Sequence, residues 1–148
     1  MSIFSNLRIT ASGLTAQRLR MDVIANNIAN AETTRTDEGG AYQRQQVVFM
    51  ADQSDSGIVP TSSFPGENVK PGQGVRVQSI LTDNSPGQRV YDPRHPDADE
   101  DGFVNYPNVN IVTEMTDMLS ATRSYEANVT VFNALKNMAL KALDIGQK

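Results

Sequence analysis

The densest set of reactive side chains in the sequence is Asp97-Ala98-Asp99-Glu100-Asp101-Gly102. Carboxylates on alternate positions followed by a glycine open a calcium loop, because they converge on one ion and the glycine permits the bend. The twelfth position of such a loop should be a bidentate glutamate, but it is Asn108, with Pro107 before it. No helical pattern leads into the loop either. An acidic surface turn between short strands accounts for the same residues without an ion. A calcium-binding module using Asp97–Asp101 is kept as an alternative reading. His95 is the single histidine and has Asp92, Asp97 and Asp99 near it in sequence. It stands between Arg94 and Pro96, after Pro93, in an extended loop with no serine or cysteine nucleophile motif to serve. Gly72-Gln73-Gly74 is a turn, since no further glycine completes a phosphate-binding pattern. The chain has no cysteine, which excludes disulfides, thiolate nucleophiles and cysteine-bound zinc. The residues therefore nominate no catalytic side chain, no cofactor and no metal, and the expectation is a non-enzyme.

Composition points the same way. The 148 residues suit one domain, or one small domain with extensions. The net charge is −4 and Lys and Arg do not cluster, so nothing offers the basic face that phosphates demand. No apolar run reaches the ~18–20 residues that span a bilayer. The start, Met1-Ser2-Ile3-Phe4-Ser5-Asn6-Leu7-Arg8, lacks the basic and apolar blocks of a cleaved secretion signal.

Two helical patterns bracket an irregular middle. From about Ser2 to Ala31, Phe4, Leu7, Ala11, Leu14, Met21, Ala25 and Ile28 follow steps of three and four, with Arg18 interrupting. Ala11, Ser12, Gly13 and Ala16 make a small-residue patch where another backbone can come close. From about Asn110 to Ile145, Ile111, Met115, Met118, Thr122, Tyr125, Val129, Phe132, Ala139 and Leu143 repeat the spacing, with Lys136 interrupting. Asn108 or Asn110 is the expected N-cap and Gly146 the stop. Asn26, Asn27, Asn30, Ser120, Ser124, Asn128, Thr130, Asn133 and Asn137 give both helices outer faces rich in amides and hydroxyls and poor in charge. A water-facing helix usually carries spaced ion pairs; uncharged polar groups suit burial against other chains.

Between the helices, Tyr42–Met50, Val75–Leu81, Gln88–Tyr91 and Phe103–Tyr106 read as strands, and Ala51 to Gly74 as loop. The fold class expected is α+β: long terminal helices forming an antiparallel coiled-coil-like pair, with a small β-rich insert. The divisions are 1–34, 35–109 and 110–148. The seams and amide faces nominate an assembly interface. On the first helix it comprises Leu7, Leu14, Met21, Asn26, Asn27, Ile28 and Asn30. On the second it comprises Met118, Tyr125, Asn128, Val129, Phe132 and Leu143. Neither helix buries both its stripe and its amide face within so small a subunit. In the isolated chain the terminal segments are accordingly expected to exchange fast and the insert to be better protected. A soluble helical-hairpin adaptor would instead be an ordered monomer or dimer, and a hydrolase finds little support.

Ser12-Gly13-Leu14, Ala16-Gln17, Asp22, Ala25-Asn26-Asn27-Ile28-Ala29-Asn30-Ala31 and Thr33 resemble the N-terminal motif shared by flagellar rod and hook axial proteins. Tyr91-Asp92-Pro93-Arg94-His95-Pro96-Asp97-Ala98, Gly102 and Tyr106-Pro107-Asn108-Val109-Asn110 are similar to the proximal-rod members of that family. Glu114-Met115 and Arg123-Ser124-Tyr125-Glu126-Ala127-Asn128 extend the likeness, which does not reach about Ala51 to Gly74, and nothing is carried over there. The resemblance implies a structural subunit of the basal-body rod, exported unfolded through the flagellar type III apparatus without a cleaved signal and assembled in the periplasm. It implies terminal helices packed into a hollow inner tube, an outward central part, torque transmission, and a channel for later subunits. The implied partners are further copies of itself, other rod proteins and the base of the export gate and ring complex, with no nucleic acid and no membrane span.

Overall fold

A computed structural model describes residues 3–37, 39–52 and 74–146. Its elements are α1 (Ile3–Ala29), β1 (Gln45–Ala51), β2 (Val75–Thr82), β3 (Arg89–Tyr91), β4 (Phe103–Asn105) and α2 (Ile111–Gly146). At ~1.5 Å per residue the 27 residues of α1 reach about 40 Å and the 36 of α2 about 54 Å. Asn110 caps α2, accepting bonds from the Val112 and Thr113 amides at 3.0 and 3.2 Å. Asn108, the other candidate cap, joins the Arg44 amide to the Asp83 carbonyl instead.

The helices run antiparallel. Arg20 faces Asp117 at 3.3 Å, the Thr122 hydroxyl donates to the Met21 sulfur at 3.6 Å, and Gly13 lies against Asn128. β1 and β2 form an antiparallel hairpin with an irregularity between Val48 and Phe49. The hairpin packs on the side of α1 not taken by α2, so α1 is the middle layer. β3 and β4 make a second two-stranded sheet, and Val104 is its buried member. Gly87 is needed where β3 approaches the end of β4, because a Cβ there would collide with the Tyr106 carbonyl oxygen. The long loop expected after β1 falls largely on residues 53–73, outside the described residues.

The expected stripe on α2 matches its packed side from Met118 to Ala139, although Ile111, Met115 and Leu143 are exposed. The stripe on α1 is its packed side only in part: Leu7, Leu14, Met21 and Ile28 are half-buried, and Met21 meets Thr122 of α2. Phe4, Ala11, Arg18 and Ala25 are exposed, whereas Thr10, Ala16, Val23, Ile24 and Asn27 are buried. The most deeply buried face is turned roughly a third of the way round the helix from the apolar stripe. Beside Val23 and Ile24, its members Thr10, Ala16 and Asn27 are small or polar and leave little trace in hydropathy.

Candidate functional site

The best-defined polar site joins all three parts of the chain near the C-terminal end of α1. Asn27, 1% exposed, offers its side-chain amide to the backbone of Gln45 as a neighbouring strand would. Its Nδ2 donates to the Gln45 carbonyl at 2.8 Å, and its Oδ1 accepts from the Gln45 amide at 3.0 Å. The second Nδ2 hydrogen goes to Glu114 Oε2 at 3.0 Å, and the second Oδ1 lone pair takes the Tyr42 hydroxyl at 2.9 Å. An asparagine side chain has two donor hydrogens and two acceptor sites, and all four are used.

Glu114 comes from the first turn of α2, where a carboxylate also favours the positive end of the helix. It is 1% exposed and receives Arg44 Nε on Oε1 at 2.6 Å. A buried ion pair persists when its remaining hydrogen-bonding positions are also filled, and here Asn27 fills the other oxygen. Asp117, one turn on, lies 3.3 Å from Arg20 Nη2 and 3.7 Å from Arg44 Nη2. The phenol of Tyr42 is pushed above the ordinary tyrosine range, first by burial and then by the Glu114 charge. We call this set the clasp. Beside it lies an open cleft of about 460 Å³, walled by Val23, Ile24, Val47 and Phe49, whose charged rim is already paired within itself.

A smaller junction lies about fifteen residues back along α1. Ser12 Oγ donates to the Ile9 carbonyl at 2.7 Å and accepts the first amide of β2, Val75, at 3.1 Å. A Cβ on Gly74 would come within 2.5 Å of Ser12 Oγ, and one on Gly13 within 3.2 Å of Asn128 Nδ2. The small-residue patch therefore serves approaches made within the chain: hairpin on one side, α2 on the other.

The nominated interface residues divide. Leu7, Leu14, Met21 and Ile28 on α1, and Met118, Tyr125, Asn128, Val129 and Phe132 on α2, are half-buried. Asn30 is half-buried and donates to the Asn26 carbonyl and side chain, both at 2.9 Å. Asn26 and Leu143 are exposed. Asn27 is corrected: it is enclosed within the chain and faces no outer surface. Many side chains on the outer faces bond back to their own helix. Thr15, Thr116, Ser124 and Thr130 each donate to the carbonyl four residues earlier; Asn128 does so too but lies against Gly13 of α1, between the helices. Sequence reasoning passed over Tyr42, Arg44 and Glu114 as a set, because nothing in their spacing shows that they meet.

The acidic turn is knit by hydrogen bonds and ion pairs within the chain. Asp97 accepts the Thr34 hydroxyl at 2.8 Å and faces Arg35 at 3.8 Å, while Asp99 faces Arg89 at 3.7 Å. Gly102 turns with φ +79, and its amide donates to the Asp99 carbonyl at 2.8 Å. His95 Nδ1 accepts the Asp97 amide at 3.1 Å. Among the described residues no three acidic or histidine side chains converge as a metal site, and no helix is long and apolar enough to cross a membrane.

Two family models match the chain, one at each end. Residues 7–35 match the flagella basal body rod protein family, and residues 100–145 match the C-terminal family of flagellar basal body rod FlgEFG proteins. Over 99% of its length the chain is 47% identical to the flagellar basal-body rod protein FlgC of Borreliella burgdorferi, 99% of which is covered. Over the same share it is 44% identical to FlgC of Bacillus subtilis and 39% to FlgC of Salmonella typhimurium, each covered completely.

Proposed function

The chain belongs to the flagellar basal-body rod protein family, and we propose that the clasp is what suits it to that role. It is a structural subunit of the basal-body rod. In our reading it is exported unfolded and assembles in the periplasm with copies of itself and other rod proteins, on the base of the export gate and ring complex. The paired helices line a hollow shaft, and the insert faces outward.

One observation carries this reading: relatives named as rod proteins align with the chain from end to end. The clasp adds a mechanical reason. A shaft that transmits torque needs the inner helices and the outer insert of each subunit to turn together. Asn27, Arg44 and Glu114 tie α1, the segment entering β1, and α2 in one buried network. The alternating apolar positions Leu14, Met21, Tyr125, Val129 and Phe132 remain the proposed seam, within the pair and against neighbours.

The test is location. A tagged, functional copy, expressed in cells lacking their own, should appear as extra density at the rod in isolated basal bodies. A tagged copy that restores motility yet is absent from purified basal bodies would overturn the reading.

A further inference from the structure

Asn108 occupies a place in the fold that backbone would ordinarily fill. The register of the hairpin pairs Gln45 with Thr82, so the next opposed residues are Arg44 and Asp83. A hydrogen-bonded pair in an antiparallel ladder exchanges two N–H···O bonds. One of them is direct: the Asp83 amide donates to the Arg44 carbonyl at 2.8 Å. The other is relayed through a side chain. The Arg44 amide donates to Asn108 Oδ1 at 2.9 Å, and Asn108 Nδ2 donates to the Asp83 carbonyl at 3.0 Å. A side-chain amide carries both a donor and an acceptor, as a peptide unit does, so it can be spliced into the ladder at this rung.

The splice bears on the direction of Arg44. Side chains alternate along a strand, which puts Arg44 in phase with Gln46 and out of phase with Gln45 and Val47. Gln46 is exposed, whereas Gln45 and Val47 are half-buried. Yet the Arg44 guanidinium reaches inward, to Glu114 at 2.6 Å and Asp117 at 3.7 Å. Residue 44 leaves the regular alternation at the rung that Asn108 splits.

The neighbours of Asn108 keep it in place. The Tyr106 amide donates to the Gln88 carbonyl at 2.8 Å. Pro107 is buried, and its ring fixes φ. Asn110 caps α2, and its carbonyl accepts the Glu114 amide at 3.0 Å. Arg44 is thus held at both ends by one short stretch of chain: its backbone amide by Asn108 and its guanidinium by Glu114.

We propose that Asn108 is the positioning residue of the clasp: its amide replaces one rung of the hairpin and turns residue 44 so that the guanidinium meets Glu114. Through Asn108 the segment leading into α2 sets how the hairpin sits against that helix. The inference rests on the Arg44–Glu114 contact of the clasp.

Heteronuclear NMR of the full chain reads the Arg44 Nε–H, assigned by its loss in Arg44→Lys. In wild type this proton should exchange with water at least about tenfold more slowly than in Glu114→Ala, because a charge-assisted bond holds it. Asn108→Ala should raise its exchange to the rate seen in Glu114→Ala, while the methyl shifts of the buried Val104 and Ala121 stay unchanged. Should Asn108→Ala fail to fold, Asn108→Ser, whose hydroxyl is too short to span both groups, takes its place in the same comparison. Asn108→Asp keeps an acceptor for the Arg44 amide, so there the slow signal should persist. A signal that stays slow in the alanine or serine variant overturns the role of Asn108. So does one that is as fast in Asn108→Asp as in Asn108→Ala. A wild-type signal already as fast as in Glu114→Ala would instead remove the Arg44–Glu114 contact on which the inference rests.

Discussion

Replacing Glu114 tests the clasp most directly, because its two oxygens serve different partners. In Glu114→Ala, Arg44 loses the contact at 2.6 Å and keeps Asp117 at 3.7 Å, a carboxylate that Arg20 also uses. Removing one member of a buried ion pair costs about 3–5 kcal/mol. The Arg44 side chain is 20% exposed and retains one carboxylate, so the lower end, about 3 kcal/mol, applies. Asn27 Nδ2 also loses an acceptor in a buried place, at about 1 kcal/mol or more. The sum is about 4 kcal/mol, a large share of the ~5–15 kcal/mol that stabilises an ordinary domain. Glu114→Gln is the sharper probe. Arg44 Nε and Asn27 Nδ2 both donate, and a glutamine offers one oxygen where the carboxylate offers two. One bond survives and the other becomes donor against donor, giving about 2 kcal/mol. Urea unfolding of the purified chain, followed by far-UV circular dichroism, should place the stabilities in the order wild type, Gln, Ala with similar m-values. If Glu114→Ala lies within about 1 kcal/mol of wild type, or if Gln costs as much as Ala, the accounting based on partner number is wrong.

Two further tests address the remaining charged groups. The Tyr42 phenol is raised above its ordinary value of 10.0 by burial and then by Glu114, so its stabilising effect is complete below that value and is lost as pH climbs through the higher, folded one. Spectroscopic titration should show a late-ionising tyrosine that Tyr42→Phe removes, and alkaline destabilisation beginning near pH 10 that the same change weakens. Changing Asp97, Asp99 and Asp101 together to Asn keeps an acceptor for Thr34 and removes exposed ion pairs worth up to about 1 kcal/mol each. Rod incorporation should persist with or without a calcium chelator, and tight stoichiometric calcium uptake by wild type, lost in the variant, would reverse this view of the turn.

Periodicity located both long helices because their length and caps leave a clear pattern. It also found the packed side of α2, whose residues from Met118 to Phe132 are large enough to register. On α1 it found the half-buried edge, Leu7, Leu14, Met21 and Ile28, and missed the more deeply buried Thr10, Ala16 and Asn27, which carry little hydropathy. What Asn27, Ser12 and Gly13 meet is the hairpin backbone at Gln45 and Val75 and the side chains of Asn128 and Glu114 on α2. The same small residues were recognised as a place of close approach, but the partners are β2 and α2 of the same chain. Asn27 was grouped with Asn26 and Asn30 as an outward amide. Composition does not separate them: Asn26 is exposed, whereas Asn27 meets Gln45, Tyr42 and Glu114.

The clasp joins the two ends that the family models match to the centre that they leave unmatched. Arg20 and Asn27 lie in the first matched segment, and Glu114 and Asp117 in the second. Tyr42, Arg44 and Gln45 fall between them. Asn27 grips Gln45 through backbone atoms alone, so position 45 contributes no side-chain chemistry and sets no motif. The Arg44 guanidinium, by contrast, neutralises a buried carboxylate of α2 from a segment that neither pattern contains. The two helices thus carry the recognisable sequence, yet their junction is completed by a linker side chain. The insert is thus tied to the helix pair by its first residues, which present a cation to Glu114 and an extended backbone to Asn27.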